Sequence, residues 1–459
     1  MSTDNNSTSR RQFLKATGGL AVASLLPNLG IAGLFAGSSD LIQIAIVGCG
    51  GRGSGAAVNA VSTTSGPIKL IAMADVFADR LTSSYDNLSK TIGEQMDVPE
   101  DRKFIGFDAY KHAMDSLKPG DVVILTTPPA FRWVHFKYAI SKRLNVFMEK
   151  PVTVDGPTSR RMLRLAEDAT AANLKVGVGL MSRHYIGMQE LHERIQDGEL
   201  GEILLMRGYR MHGPTATFQS LPKPAGMTDL EYQIRRFHSF LWASGGCFND
   251  YYIHHIDHLC WMKNAWPVSA QALGGRHYRQ NAAGGTFVDQ NLDTYSVEYT
   301  FADGCKFFFD GRCMTGAHGI FSSYVHGAKG VGVAARSGDF GGPQATYRGQ
   351  VVSREAMLWQ STNESNPYQN EWDVLIHAIR DDNPHNEVKR GVEASLVCSM
   401  GRMAAHTGQE ITFEQMLNCE HEFAPEVDKL TYETPSPLMP GADGRYPVPQ
   451  PGLKGDREY

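Results

Sequence analysis

An α/β fold, with a parallel sheet in the first half of the chain and antiparallel pairing in the second, is what this sequence predicts. Three observations carry that reading. Residues 41–47 are a short apolar, β-branched run, which suits a buried parallel strand. Two more such runs, at 121–127 and 145–148, are separated by helix-compatible sequence. Between Asp293 and Phe301, polar and apolar residues alternate, with Tyr295, Val297, Tyr299 and Phe301 on one face. A turn at Asp303-Gly304 then leads into residues 306–310 as a return strand.

The first of these strands ends in Gly48-Cys49-Gly50-Gly51-Arg52-Gly53, a G-x-G-x-x-G loop. The small-residue segment 54–61 follows as a helix, and a second apolar run, 69–74, ends in Asp75. That order of strand, loop, helix, strand and acid is the dinucleotide fingerprint. Gly48 permits the tight turn, Gly50 lets backbone approach a pyrophosphate, and Gly53 brings helix and strand together. Gly51 and Arg52 complete the loop at the helix N-terminus, whose free N–H groups and positive dipole end suit phosphates. Asp75 accepts hydrogen bonds from ribose hydroxyls and repels a 2′-phosphate, so the expected cofactor is NAD.

With 459 residues the chain is too long for one ordinary core, and two domains are expected. The composition is 42% hydrophobic and 20% charged, with net charge −5, and no Lys/Arg block points to nucleic acid. No apolar run is long enough for a stable membrane anchor in the mature chain. Seven cysteines form no C-x-x-C pair and read as buried free thiols.

Residues 1–9 are polar. Ser9-Arg10-Arg11-Gln12-Phe13-Leu14-Lys15 follows, then a modestly apolar stretch, 16–26, and small residues through Ser39. This three-part form resembles a twin-arginine export signal over residues 1–39, with cleavage between Ala32 and Ser39, and places the mature protein in the periplasm. Such cargo folds before export. Outside the cytoplasm there is no free NAD to exchange with, so the cofactor is expected to stay bound and to return to its starting redox state in each cycle.

Residues 79–96 suit a helix, as do 136–141 just after His135. The strand at 145–148 ends in Glu149-Lys150-Pro151, and the carboxyl ends of parallel strands are where ligands sit. Together the Gly48 loop, Thr127-Pro128-Pro129 with the following His135, and Glu149-Lys150-Pro151 resemble the glucose–fructose oxidoreductase/inositol dehydrogenase/MocA-like family. The resemblance implies an N-terminal Rossmann domain, placed at 40–181, and a C-terminal α/β domain with a large, mostly antiparallel sheet, placed at 182–433. A Pro/Gly-rich tail, 434–459, completes the chain. It also implies that Thr127, Pro128, His135 and Glu149 line the cofactor and that Lys150 lies near both cofactor and substrate.

In the second domain, residues 174–180 read as the last strand of the first sheet, and Ser182-Arg183-His184-Tyr185 as the crossing. Residues 192–198 close a helix and 201–209 start a strand. The glycine-rich stretch 327–343 reads as a flexible loop, 367–379 and 387–407 as helices that can pack back on the first domain, and 435–452 as an extended tail. Gly245-Gly246 begins a polar segment, Asn249 to Leu259, in which Asp250 and His254 stand at i and i+4 on one helical face. There a carboxylate can orient an imidazole. The segment resembles the family's G-G…D-x-x-x-H-x-x-D, which implies that Asp250 and His254 are catalytic, with His254 the proton acceptor. Tyr252 stands where many relatives have glycine. Asp250, His254 and His258 also describe a possible metal face, but no outside ligand motif accompanies them and no metal is expected.

Oxidising a sugar hydroxyl needs a base for its proton and a nicotinamide for its hydride. Lys150 and His254 share the proton work, and Arg183, His184, Tyr252 and His255 are the expected substrate contacts. The function this implies is an exported, homo-oligomeric (dimer or tetramer) sugar oxidoreductase that recycles its NAD. One alternative is an NAD-dependent glycosidase or lyase acting through transient oxidation; the other is a non-catalytic sugar-binding protein.

Overall fold

The computed structural model describes residues 41–455 and 457–459, and the export segment 1–39 lies outside them. The first sheet comprises β1 (Ile42–Val47), β2 (Ile68–Asp75), β3 (Lys103–Ile105), β4 (Val122–Leu125), β5 (Asn145–Met148) and β6 (Val176–Val178). Every pairing in it is parallel, in the order β3-β2-β1-β4-β5-β6. Alternate residues of β1 face opposite layers. Ile44 and Ile46 pack with Ala56, Ala57 and Ala60 of the Gly51–Val61 helix, whereas Ala45 and Val47 share a core with Phe136 and Met162. Cover on both faces explains why these strands are continuously apolar. Chain direction away from β1 reverses between β2 and β4, which opens a crevice at their carboxyl ends.

The second sheet comprises β7 (Ile203–His212), β8 (Ser269–Gly275), β9 (Thr294–Thr300), β10 (Lys306–Cys313), β11 (Ile320–Gly327), β12 (Gly330–Ala335), β13 (Ala345–Arg348), β14 (Met357–Gln360) and β15 (Ile411–Thr412). Its order is β14-β13-β12-β11-β7-β10-β9-β8-β15, antiparallel except for the β7/β10 pair. The β9/β10 hairpin pairs Thr300 with Lys306 and Thr294 with Arg312, and Gly304 at φ +84° makes the turn. Tyr295, Val297, Tyr299, Phe307 and Phe309 point inward, and Phe308 points out. Two helices cover the inner face, Gly246–Lys263 and Val388–Thr407. Gly401 of the latter is required by close approach, since a Cβ there would stand 2.1 Å from the Tyr299 hydroxyl.

Two sequence expectations change. The stretch 327–343 is not simply a loop, because it contains β12, all six of whose residues are buried. Its glycines serve contact rather than flexibility: a Cβ on Gly330 would lie 2.2 Å from the Tyr347 carbonyl oxygen. The tail adopts no strand or helix in its described residues, but it is anchored. Leu438 and Tyr446 are buried with Phe240 and Trp242, and Gln233 donates to the Leu438 carbonyl at 2.7 Å.

The Pro367–Arg380 helix returns to the first sheet, burying Trp372, Leu375 and Ile376 against Ile44, Ile46 and Ile124. Residues 41–459 accordingly form a single compact unit.

Candidate active site

A cavity of about 530 Å³ opens at the carboxyl ends of β1, β2, β4 and β5 and runs to the Gly246–Lys263 helix. Its floor is the glycine loop. Gly48 has φ +101°, and a Cβ there would meet the Thr127 nitrogen at 2.7 Å. A Cβ on Gly53 would meet the Gly48 carbonyl oxygen at 2.3 Å, so helix and strand close only over glycine. Gly50 and Gly51 are open instead: Arg80 Nη1 lies 3.9 Å from a Gly50 Cβ, and nothing lies within 4 Å of one on Gly51. Asp75 is fixed at the far wall, its Oδ2 accepting from the Cys49 N–H at 2.7 Å and its Oδ1 from the Phe77 N–H at 2.9 Å. Burial pushes its carboxyl up, and those N–H groups oppose the shift.

Thr127, Pro128, Phe131, Arg132 and His135 form a second wall. Thr127 Oγ1 lies 3.2 Å from His135 Nδ1, and burial, then the charge of Arg132, pushes His135 down to about 3. Glu149 accepts from Arg52 Nε at 2.9 Å, and the Arg52 guanidinium stands 4.7 Å from the Tyr368 ring centroid.

Lys150, from the end of β5, meets the helix here. Its Nζ donates to the Asp250 backbone carbonyl at 2.6 Å and stands 3.7 Å from Asp250 Oδ1. Asp250 Oδ2 lies 3.3 Å from His238 Nε2, and His238 Nδ1 lies 2.8 Å from the Thr217 hydroxyl. Burial alone would raise the Asp250 carboxyl, but Lys150, then His238 and Arg210, outweigh it and hold the group well below the usual carboxylate range. His254 also lines the cavity. Burial, then Lys150 and Arg210, holds its imidazole well below the usual range, and its Nδ1 has no hydrogen-bond partner among the described residues.

The expectation that Asp250 orients His254 is therefore corrected. The i, i+4 spacing brings the two to one cavity, but Lys150 and His238, arriving from other elements, take the carboxylate. The four expected substrate contacts also fall outside the cavity lining. Arg183 pairs with Asp257, through Nε at 2.9 Å and Nη2 at 2.7 Å. His184 Nε2 lies 3.2 Å from Glu387, and Tyr252 is buried beneath the sheet with its hydroxyl 3.6 Å from Cys313 Sγ. His255 has no exposed side-chain surface and faces Asp339 at 3.7 Å. Side chains on a helix buried all round cannot be sorted into cavity-facing and core-facing from sequence alone. His258 is near Ser323, 2.8 Å from its hydroxyl, and no group of three His, Cys, Asp or Glu is placed to hold a metal among the described residues.

Sequence reasoning missed Arg132, His238, Arg210 and Tyr368. Arg132 had a usable signal, a lone arginine opening the helix after Pro128-Pro129. It is fully buried, donates to the Leu125 and Thr127 carbonyls, and burial lowers it to about 10. His238 carried no such signal, because only folding brings residue 238 to residue 250.

A doubly wound sheet with a glycine-floored crevice, joined to a large antiparallel sheet, defines a two-sheet α/β protein of the dinucleotide-binding type. More narrowly, residues 188–332 match the family model of the GFO/IDH/MocA C-terminal domain, and residues 7–27 match that of the TAT (twin-arginine translocation) pathway signal sequence. Inositol 2-dehydrogenase of Corynebacterium glutamicum is 26% identical over 125 residues, which is 27% of this chain and 35% of that protein. The chain thus matches about a third of that relative's length. Among solved structures, aldose-aldose oxidoreductase from Caulobacter crescentus superposes with TM-score 0.61 at 15% identity, over 81% of this chain and 99% of the other. Scyllo-inositol dehydrogenase from Lactobacillus casei, solved with bound NAD(H) and scyllo-inositol, gives TM-score 0.58 at 18% identity, over 82% and 99%. These likenesses establish the shared fold. The signal indicates export by the twin-arginine route, and no helix among the described residues is long and apolar enough to cross a membrane.

Proposed function

We propose that the protein is a periplasmic oxidoreductase that keeps NAD(H) bound and uses it to oxidise and re-reduce hydroxyl-bearing carbons of a sugar or sugar derivative. The observation that carries this reading is the convergence of Lys150, Asp250 and His254 at one end of a glycine-floored cavity whose other end is closed by Asp75. The cavity suits the cofactor. Gly50 and Gly51 leave the backbone open to a pyrophosphate beside Arg80, and the anchored Asp75 carboxylate suits ribose hydroxyls and opposes a 2′-phosphate. The likeness to a scyllo-inositol dehydrogenase holding NAD(H) supports the same choice.

A bound nicotinamide supplies hydride acceptance and return. His254, kept neutral, takes the hydroxyl proton as the carbonyl forms and gives it back when a second substrate is reduced. Lys150 donates a hydrogen bond to the reacting oxygen. Asp250, held ionised, fixes the Lys150 ammonium and His238. Export supports a closed redox cycle, since no free dinucleotide pool is met outside the cytoplasm. Leu273 and Phe308 on the outer face of the second sheet, 78% and 39% exposed, support a homo-oligomer.

The test is to incubate the purified protein, with no cofactor added, with sugars, polyols and glycosides, and to analyse products and released dinucleotide by mass spectrometry. Expected are NAD(H) in the denatured supernatant and matched amounts of oxidised and reduced sugar. Glycoside cleavage without net redox would move the reading to the hydrolytic or eliminating alternative. NADP(H) in the supernatant, or turnover only with added cofactor, would overturn the bound-NAD cycle.

A further inference from the structure

One short stretch from the second half of the chain touches both ends of the cavity. Ala216, Ile234, Phe237 and His238 line the same cavity as the glycine loop. Arg235, closing the Asp229–Arg235 helix, reaches the adenosine end that Asp75 marks. It donates to Asp79 from Nη1 and Nη2, at 3.0 Å each, and its guanidinium stands 3.8 Å from the Phe77 ring centroid. Phe77 itself lines the cavity. Three residues on, His238 lies 3.3 Å from Asp250 at the catalytic end. Arg236, between them, donates from Nε to the Ser220 hydroxyl at 2.8 Å and from Nη2 to the Gln219 carbonyl at 2.6 Å, which holds the loop that carries Ala216.

Later residues bind the same two parts together. Tyr432 donates its hydroxyl to the Val76 carbonyl at 2.6 Å, and its ring meets that of Phe107 edge-on at 5.2 Å. Val76 and Phe107 both line the cavity. Tyr446 donates to Asp229 at 2.8 Å, and Gln233 donates to the Leu438 carbonyl at 2.7 Å, so the helix that carries Arg235 is tied to the tail as well. The glycine loop and Asp75 serve the cofactor's phosphates and ribose without these contacts. What the contacts do is join the two halves of the chain at the adenosine end, which opens only when they break. The Arg235–Asp79 pair is too exposed to hold by itself, Asp79 keeping 65% of its side-chain surface, so closure rests on the pair, the Phe77 contact and Tyr432 together.

We propose that Arg235 and Tyr432 are cofactor-retaining residues: they latch residues 229–238 and the tail to residues 76–79, and the bound dinucleotide leaves only when that latch opens. Exchange is then set by a local opening of the structure rather than by the strength of the phosphate and ribose contacts. This rests on the reading that the cavity holds NAD(H), and it supplies a physical cause for retention after export.

The test follows exchange of the bound dinucleotide in the full-length protein as purified. Excess isotope-labelled NAD is added, samples are gel-filtered and denatured at intervals, and mass spectrometry reads the labelled fraction. Wild type is expected to exchange over hours. Arg235→Ala, which removes both the ion pair and the contact with Phe77, should exchange about five- to thirty-fold faster. Asp79→Asn should give an increase of about two- to fivefold, and Tyr432→Phe about two- to tenfold. A reversed pair, Asp79→Arg with Arg235→Asp, should exchange more slowly than either reversal alone, which a general loosening of the fold would not produce. Wild-type exchange within seconds, variants that exchange at the wild-type rate, or a reversed pair no slower than its single variants overturns the proposal. If the Arg235 variants do not fold, Asp79→Asn and Tyr432→Phe decide, and unchanged exchange in both overturns it. Slow exchange unaltered in every variant sinks the latch and leaves the bound-NAD reading standing. A protein that holds no dinucleotide and takes up none sinks both. NADP(H) in place of NAD(H) removes the cofactor assignment alone, and the same variants with labelled NADP then decide the latch.

Discussion

Asp250 and His254 share a helix face and a cavity, yet the electrostatics give them separate tasks. The carboxylate is spent on Lys150 and His238, while the imidazole stays neutral with a free Nδ1. His254→Ala should therefore lower turnover by about 10²–10⁴-fold, the usual scale for one general base, while the protein still releases its dinucleotide on denaturation. Asp250→Asn acts differently. It frees the Lys150 ammonium rather than the imidazole, so turnover should fall and the acid limb of the pH–rate profile, set by His254, should keep its position. A limb that moves in Asp250→Asn would show that the carboxylate governs His254 after all. The site residues that sequence placed together are those carried by local motifs, such as Gly48, Asp75, Lys150 and His254. What it could not give is partner choice: i, i+4 spacing says two side chains can meet, and the nearer Lys150 decides that they do not.

The polar Gly246–Lys263 helix is buried almost throughout, and its start is set by a double glycine, Gly245 at φ +76° and Gly246 at φ +71°. That turn is clamped from the end of the chain. Arg402, fully buried, donates from Nη1 to the Gly245 carbonyl at 3.1 Å and from Nη2 to the Val154 carbonyl at 3.0 Å. Its charge is balanced by Glu458, which accepts from Arg402 Nε at 2.9 Å and Nη2 at 2.8 Å and lies 2.7 Å from His406 Nδ1. Burial would raise the Glu458 carboxyl, but Arg402, then His406, hold it down at about 2. Breaking such a buried pair from one side costs about 3–5 kcal/mol, because the remaining charge stays desolvated. Glu458→Gln should thus lower the melting temperature by several degrees and reduce turnover through the loosened helix start, both read by calorimetry and steady-state rates. Unchanged melting would mean the tail does not clamp the helix. The reading of residues 435–452 as an extended tail could not foresee this, since nothing local pairs residue 458 with residue 402. β12 was hidden for a different reason: Gly-Val-Gly-Val-Ala-Ala has the composition of a loop and is a strand only because Leu200 and Tyr347 need small residues against them.

At the scale of the molecule, the two sheets enclose an interior in which several histidines are held neutral. The order of the first sheet was legible because parallel strands are continuously apolar and glycine loops mark their ends; the order of the second was not, since β7 pairs with β10 and β11 across long stretches of chain. Burial, with neighbouring positive charge, lowers His135 to about 3, and burial lowers His258 to about 4 despite the opposing charge of Asp257. His254 and His255 are shifted the same way, burial again being the main cause. An unfolded histidine titrates near 6.5, so below that pH the unfolded chain binds protons that the folded one refuses. Stability then rises with pH across the window. It is complete above about 6.5 and is lost as pH falls, toward about 4 for His258 and about 3 for His135. Each such group contributes a slope of about 1.4 kcal/mol per pH unit. The depressed carboxylates of Asp250 and Glu458 add stability present above about 4 and lost only below it, so they do not mask the histidine window. Melting temperature should therefore drop between pH 6.5 and 4, before Asp250 and Glu458 titrate. The slope is reduced by the carboxyls that burial raises, Asp75 and Glu371 among them, which take up protons in the folded state and act against it. His258→Gln, which removes one proton-refusing group, should melt lower at pH 7 but show a shallower dependence over that window. Differential scanning calorimetry of both proteins from pH 4 to 8 measures the two slopes, and equal slopes would mean that His258 is not buried neutral.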